Sequence, residues 1–241
     1  MAVIRGIRSE FIKLHHTAFL WIHALIPVLG AALFLLYFAL YYKIETDVKM
    51  ALVLELTSVV FPIIISVVCG MMITLEEKAG NFQGMLSNQN GRAITYLNKL
   101  LTAILLGGLS VGLLVILTLC GSTILSLVQL PVRLFTYAAL GMFLGVIPLY
   151  IIHMFLSVQW GLSVSVFVGV VESLLAVMFS NVNTGIWPFI PCAWSVKIIQ
   201  NTLSIVNISG MELTIVTALS MIFLLLSFIW FQKWEGRKSF E

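Results

Sequence analysis

The chain has 241 residues, of which 61% are hydrophobic and only 10% charged. A soluble domain carries about 25% charged residues, and no soluble fold of this size hides so much apolar surface. Composition therefore excludes a soluble domain and defines a polytopic membrane protein; the net charge of +3 matters only through where the Lys and Arg lie.

The first sixteen residues come before any spanning run. Ile4, Ile7, Phe11 and Leu14 repeat at helical spacing, with Arg5, Arg8, Ser9 and Lys13 off that stripe. The pattern predicts an amphipathic helix lying in the membrane interface. The alternative is an extension of the first spanning helix. The first apolar run exceeds the ~7–15 residues of a signal-peptide core, and no small-residue cleavage site follows it, which argues against a signal peptide.

A spanning helix needs about 20 apolar residues. Six segments qualify, at about 18–40, 51–75, 100–127, 134–156, 162–180 and 211–231. The fold class is therefore all-α with six transmembrane helices and a single domain over residues 1–241. Charge chooses the orientation. With the N-terminus inside, the inner regions hold Arg5, Arg8, Lys13, Lys78, Arg92, Lys99, Lys233, Arg237 and Lys238, and the outer regions only Lys43, Lys49, Arg133 and Lys197. Nine against four follows the positive-inside rule, so both termini are expected in the cytoplasm.

Between the second and third spans runs EEKAGNFQGMLSNQNGRAITYLNK, residues 76–99. Gly80 and Asn81 are poor helix-interior residues, and Asn81 is suited to cap a new helix. Phe82, Met85 and Leu86 then fall at i, i+3 and i+4, on one face of a short helix. Gln89, Asn90 and Gly91 make a turn, and Arg92 opens the third span. The expected product is a short cytoplasmic helix with an apolar knob, fit to lie on lipid or to enter a groove on a partner. Glu76, Glu77 and Arg92 are expected to hold the loop by ion pairs.

Between the fifth and sixth spans, Trp187-Pro188 and Ile190-Pro191 interrupt any helix. The segment is too long for a tight turn and too apolar for a free loop. It reads as a broken re-entrant hairpin dipping into the outer leaflet, packed on protein, with Trp187, Phe189 and Trp194 at interfacial depth. A surface loop with aromatic anchors is the alternative.

The stretch EEKAGNFQGML…R…Y…K resembles the coupling-helix signature of ABC-2-type exporter permeases. Its EEKAGNFQ form, with FPIIISVVCGMMI before it and YLNKLLTAILLGGLS after it, is similar to the lantibiotic-immunity permeases, the E- and G-type subunits of self-protection transporters in Gram-positive bacteria. The resemblance implies a permease in the cell membrane, paired with a second, homologous permease subunit and seated on a dimer of a separate ABC ATPase. ATP and Mg would be held by that ATPase and no cofactor by this chain. The coupling residues would be Glu76, Glu77, Gly80, Asn81, Phe82, Gln83, Met85, Leu86 and Arg92. The substrate would be a lantibiotic peptide, driven from the membrane to the outside; another antimicrobial peptide or hydrophobic substrate would use the same architecture. No nucleic-acid partner is expected.

Glu172 lies about ten residues from either end of the fifth span. A carboxylate at that depth is costly and points to function, or else to a neutral Glu bonded to Ser or Thr on a neighbouring helix. His153, near the inner end of the fourth span, reads as a hydrogen-bonded structural residue. The adjacent His15 and His16 point to different helix faces, and no cysteine has metal spacing, so no metal site is expected. Glu55 is expected to reach the outer interface. Pro62 and Pro148 are expected to kink their spans, and Gly141 and Gly145 have small-xxx-small spacing.

The chain has no G-x-x-x-x-G-K-[ST], so ATP hydrolysis is not expected in it. Glu76-Glu77 suggests the paired glutamates of CAAX-type membrane proteases, but Asn81 stands where that motif needs Arg, and its His motifs are missing. An enzyme is not expected. A non-pumping immunity protein is the remaining alternative, and it would have no use for a coupling loop.

Overall fold

The structure is a computed structural model that describes residues 2–15, 17–87, 91–181 and 185–237. His16, Gln89, Asn90 and Lys238 lie outside the described residues. The described residues form α-helices and two short 3₁₀ turns, with no strand.

Helix α1 covers Ala2–Leu14 and α2 covers Ala18–Leu40. Thr17 separates them. Its hydroxyl donates to the Leu14 carbonyl at 2.7 Å and accepts from the Phe19 N–H at 3.3 Å, closing one helix and capping the next. The chain therefore breaks between α1 and α2, and α1 packs mainly on the third long helix instead of extending the first span. Leu14 of the apolar stripe is buried, while Ile4 is 75% exposed.

Helix α3 covers Thr46–Gly80, the one-turn α4 covers Gln83–Leu86, and α5 covers Arg92–Ile124. Both long helices outrun their apolar cores. At about 1.5 Å per residue, the 35 residues of α3 reach about 50 Å, well beyond a hydrocarbon layer of about 30 Å. Glu, Lys and Arg are good helix formers, so leaving the apolar run does not end the helix. Helices α6 (Val132–Trp160), α7 (Leu162–Asn181) and α9 (Gly210–Lys233) complete the bundle. Six helices (α2, α3, α5, α6, α7 and α9) are long and apolar enough to cross a membrane.

Helix α3 is the centre of the bundle, packed against α6 and α7. Gly169 of α7 lets the two backbones close: a Cβ there would sit 2.7 Å from the Pro62 carbonyl of α3. Pro62 and Pro148 both lie inside unbroken helices. Helices α2 and α9 lie at the edges and keep most of their surface exposed.

After α7 the chain makes 3₁₀ turns at Trp187–Phe189 and Pro191–Ala193, then α8 at Trp194–Thr202. The break expected at the two prolines is present, and the segment packs on α6, α3 and α7. Trp187 and Trp194 differ from the expected interfacial anchors. They are 2% and 0% exposed, because each indole N–H finds an acceptor within the protein: Glu212 Oε1 at 2.9 Å and the Pro188 carbonyl at 3.0 Å. Phe189 remains exposed.

Candidate functional site

The residues expected to form the coupling loop gather at the end of the bundle where α1, the α3–α5 corner and the chain after α9 meet. Asn81 ends α3 in the left-handed conformation (φ 47°, ψ 50°), and its N–H bonds the Glu77 carbonyl at 2.8 Å. It terminates the preceding helix and does not supply a side-chain cap to the next. Phe82 follows at φ 67°, also left-handed. That conformation costs a bulky residue about 1–3 kcal/mol and persists only when packing over-determines it.

The packing is visible. Two left-handed residues in succession reverse the chain and turn the Phe82 ring into the protein, where it is 0% exposed. It meets Trp234 edge to face, and the Arg237 guanidinium lies over its face at 5.1 Å. Met85 is also 0% exposed, and Leu86 packs against the same core. The apolar knob, expected to lie on lipid or to enter a partner groove, instead packs inside this chain. The outward face of the corner is Lys78, Ala79, Gly80, Asn81, Gln83, Gly84 and Ser87, polar or small throughout.

Glu76 and Glu77 form the expected ion pairs, whereas Arg92 forms none among the described residues and donates to backbone carbonyls instead. Glu76 accepts from Lys99 at 2.8 Å and from Lys13 at 2.8 Å. Lys99 also reaches Glu10 at 2.6 Å, and Lys13 reaches Glu10 at 3.1 Å. Two carboxylates and two ammoniums thus close a ring joining α1, α3 and α5, with the Lys99 side chain only 1% exposed. Burial lowers the Lys13 ammonium, but the hydrogen bond to Glu76 and the charges of Glu10 and Glu76 outweigh it and hold it above the ordinary lysine value. Glu77 pairs with Arg237 at 2.8 Å, and Arg237 also donates to the Val158 and Ser157 carbonyls at the end of α6. Arg92 donates to the Trp234 carbonyl at 3.1 Å and binds just past the C-terminus of α9.

Sequence reasoning missed Glu10, Lys13 and the 234–237 segment as parts of this site. Glu10 lies outside the apolar stripe and belongs to no motif. One signal was available: Glu10 and Lys13 are spaced to sit one helical turn apart on α1.

Deeper in the bundle, Glu172 of α7 bonds His153 of α6, Oε2 to Nε2 at 2.8 Å. Its partner is a histidine, not the Ser or Thr named in the structural alternative. His153 is fully buried, and its Nδ1 lies 3.1 Å from the Ser165 hydroxyl, which donates to the Ser66 carbonyl of α3 at 3.3 Å. One signal was available: residues 153 and 172 lie on consecutive helices either side of the turn at Gly161. At the opposite end, Glu55 does not stand free but accepts from Gln200 at 3.0 Å, and Gln200 in turn accepts from the buried Lys197 at 3.1 Å. Gly141 and Gly145 both face α8.

An all-α bundle of six helices long and apolar enough to cross a membrane defines a polytopic membrane protein. The family model for the ABC-2 family transporter protein matches residues 6–183, and the chain belongs to this family of membrane transport components. No curated protein and no solved structure matches the chain.

Proposed function

We propose that this chain is the permease subunit of an ATP-driven exporter that removes a lantibiotic peptide from the cell membrane of a Gram-positive producer and so gives self-immunity. Both termini lie in the cytoplasm in this reading, as the distribution of Lys and Arg supports. A dimer of a separate ATPase binds the α3–α5 corner, and a second, homologous permease completes the pore.

The observation that carries the reading is the bracing of residues 76–87. The corner is tied to α1 and α5 through Glu76, to α6 through Glu77 and Arg237, and to the chain after α9 through Phe82. A force applied at the corner is therefore delivered to several helices together. The docking surface is the polar outward face, Lys78, Asn81, Gln83, Gly84 and Ser87, while Phe82 and Met85 hold that face in position. Substrate class rests on the similarity of the EEKAGNFQ stretch to lantibiotic-immunity permeases.

The test is protection of a sensitive strain. The chain is expressed with its ATPase and partner permease, and survival is scored across a panel of lantibiotics. Protection is expected only with all subunits and an intact ATP site. Protection by this chain alone would establish a non-pumping immunity protein instead. Protection restricted to other hydrophobic compounds would overturn the lantibiotic assignment and keep the exporter.

A further inference from the structure

Helix α2 leans on α5 and barely on α3, and the gap between α2 and α3 is a cavity of about 440 Å³. Its floor is α5, at Gly107, Val111 and Leu114, with Tyr150 reaching in from α6. It opens sideways, where Leu29, Leu33, Leu56 and Val60 stay exposed. Among the described residues no Asp, Glu, Lys or Arg lines it. Its volume and apolar lining are those of a small-molecule site, in which a few polar groups fix orientation.

Four polar side chains line the cavity: His23, Thr57, Ser110 and Tyr150. Three are tied to backbone carbonyls. His23 Nδ1 meets the Phe19 carbonyl at 2.8 Å, Thr57 donates to the Val53 carbonyl at 2.7 Å, and Ser110 donates to the His23 carbonyl at 2.9 Å. The Tyr150 hydroxyl has no hydrogen-bond partner among the described residues, although the residue is only 2% exposed. It lies against Gly107, where a Cβ would overlap it, so the glycine is what admits the hydroxyl to the cavity. A buried O–H without an acceptor is costly, and a ligand oxygen removes that cost.

The height of this donor in the bundle points to its acceptor. Ser110 is level with His23, whose carbonyl it reaches, and Gly107 lies one turn nearer the α1 end of the bundle. The free hydroxyl is therefore level with the first two turns of α2, near where that span enters the hydrocarbon. From there the apolar cavity follows α2 as far as Phe34, about 16 Å toward the far side. A glycerolipid has the same layout: an ester carbonyl at the edge of the hydrocarbon layer and an apolar chain running inward from it.

We propose that this cavity holds one ester-linked acyl chain of a membrane lipid from the leaflet on the α1 side, with its carbonyl accepting from the Tyr150 hydroxyl. The chain lies between α2 and α3 and fills a gap that the protein's own side chains leave open. A charged group has no counter-charge among the lining residues, so the lipid headgroup stays outside the cavity. The assignment does not depend on the export reading.

The experiment is photocrosslinking, which needs neither ATPase nor transport, so its failure leaves the export reading standing and the reverse. The protein is placed in nanodiscs of ether-linked phosphatidylcholine, whose chains lack carbonyls. A small fraction of the lipid is a phosphatidylcholine with a diazirine in one chain, either ester-linked or ether-linked. Labelled residues are mapped by mass spectrometry. The ester probe is expected to label residues 22–34 and 56–64 about fivefold more than the ether probe, the worth of one neutral hydrogen bond, and more strongly than it labels the open face of α9. On that face, at Leu225 and Ile229, the two probes should label alike. Tyr150→Phe should remove the ester preference and leave the ether probe's labelling of the cavity unchanged. Val60→Trp, at an exposed position in the cavity mouth, should cut cavity labelling by both probes and leave α9 labelled. Equal cavity labelling by the two probes, an ester preference that survives Tyr150→Phe, or cavity labelling no stronger than that of α9 would each overturn the proposal. So would labelling by a photoreactive amphipathic peptide with none by either lipid, which would make the cavity a peptide site.

Discussion

The rings of Phe82 and Trp234 meet edge to face, with centroids 5.1 Å apart and planes at 80°. One residue opens the short helix of the α3–α5 corner; the other lies just beyond the last span. Through this contact the chain after α9 supports the corner from within.

Phe82→Ala should therefore act on the fold of this chain. Truncating a fully buried phenylalanine costs about 3–5 kcal/mol, and here it also removes the packing that holds a left-handed backbone. Trp234→Ala should be destabilising as well, and the double variant should fall short of the sum by about 0.5–1.5 kcal/mol, the worth of an aromatic pair. Thermal unfolding in detergent gives all three values. Lys78→Ala, on the exposed face, should leave the melting temperature unchanged. A Phe82→Ala protein as stable as wild type would show that the ring is not held by the fold.

The Glu10–Lys13–Glu76–Lys99 ring makes a second prediction. Lys99→Met leaves two buried carboxylates with only the half-exposed Lys13 between them, and breaking a buried pair costs about 3–5 kcal/mol. Adding Glu10→Gln should recover much of that loss, because Glu76 keeps Lys13 at 2.8 Å and no carboxylate is left over. Urea unfolding of the single and double variants checks it. A double variant less stable than Lys99→Met alone would mean that Glu10 stabilises α1 by some other contact.

These two networks show where sequence legibility stopped. Long apolar runs and the sidedness of Lys and Arg are one-dimensional properties, so the spans could be read directly. The spacing of Phe82, Met85 and Leu86 put them on one face, but spacing does not say which way a face points. That direction comes from two consecutive left-handed residues and from an aromatic at position 234, far along the chain. Lys99 counted as an inner charge, yet it is among the most buried side chains, because Glu10 and Glu76 arrive from two other helices. Trp187 and Trp194 had the composition of interfacial anchors and instead met acceptors inside the protein. In each case the missing information was a partner distant in sequence.

The raised Lys13 ammonium gives a pH dependence with a definite sign. In the unfolded chain it loses its proton near 10.5, and in the folded chain only above that. Its contribution to stability is therefore complete below 10.5 and is lost as pH rises through the folded value. The difference in melting temperature between wild type and Lys13→Gln should stay constant from about pH 8 to about pH 10 and close at higher pH. A gap that already narrows between about pH 7 and about pH 9 would contradict the raised value.

Gly145 and Gly112 should respond in opposite directions to the same substitution. A Cβ on Gly145 of α6 would lie 2.7 Å from the Ser195 Cα and 2.9 Å from its backbone nitrogen. Those atoms belong to α8 and cannot be moved by a rotamer change, so Gly145→Ala must push α8 off α6. Overpacking of this kind costs about 1–3 kcal/mol. Around Gly112 of α5 there is nothing within 4 Å, so Gly112→Ala meets no neighbour and gains about 0.5–1 kcal/mol from the lower entropy of the unfolded chain. Melting temperatures of the two variants should therefore fall on either side of wild type. Limited proteolysis near residues 185–206 should be faster in Gly145→Ala alone, because only that variant loosens α8. Equal stability of the two variants would mean that the α6–α8 contact is not close-packed.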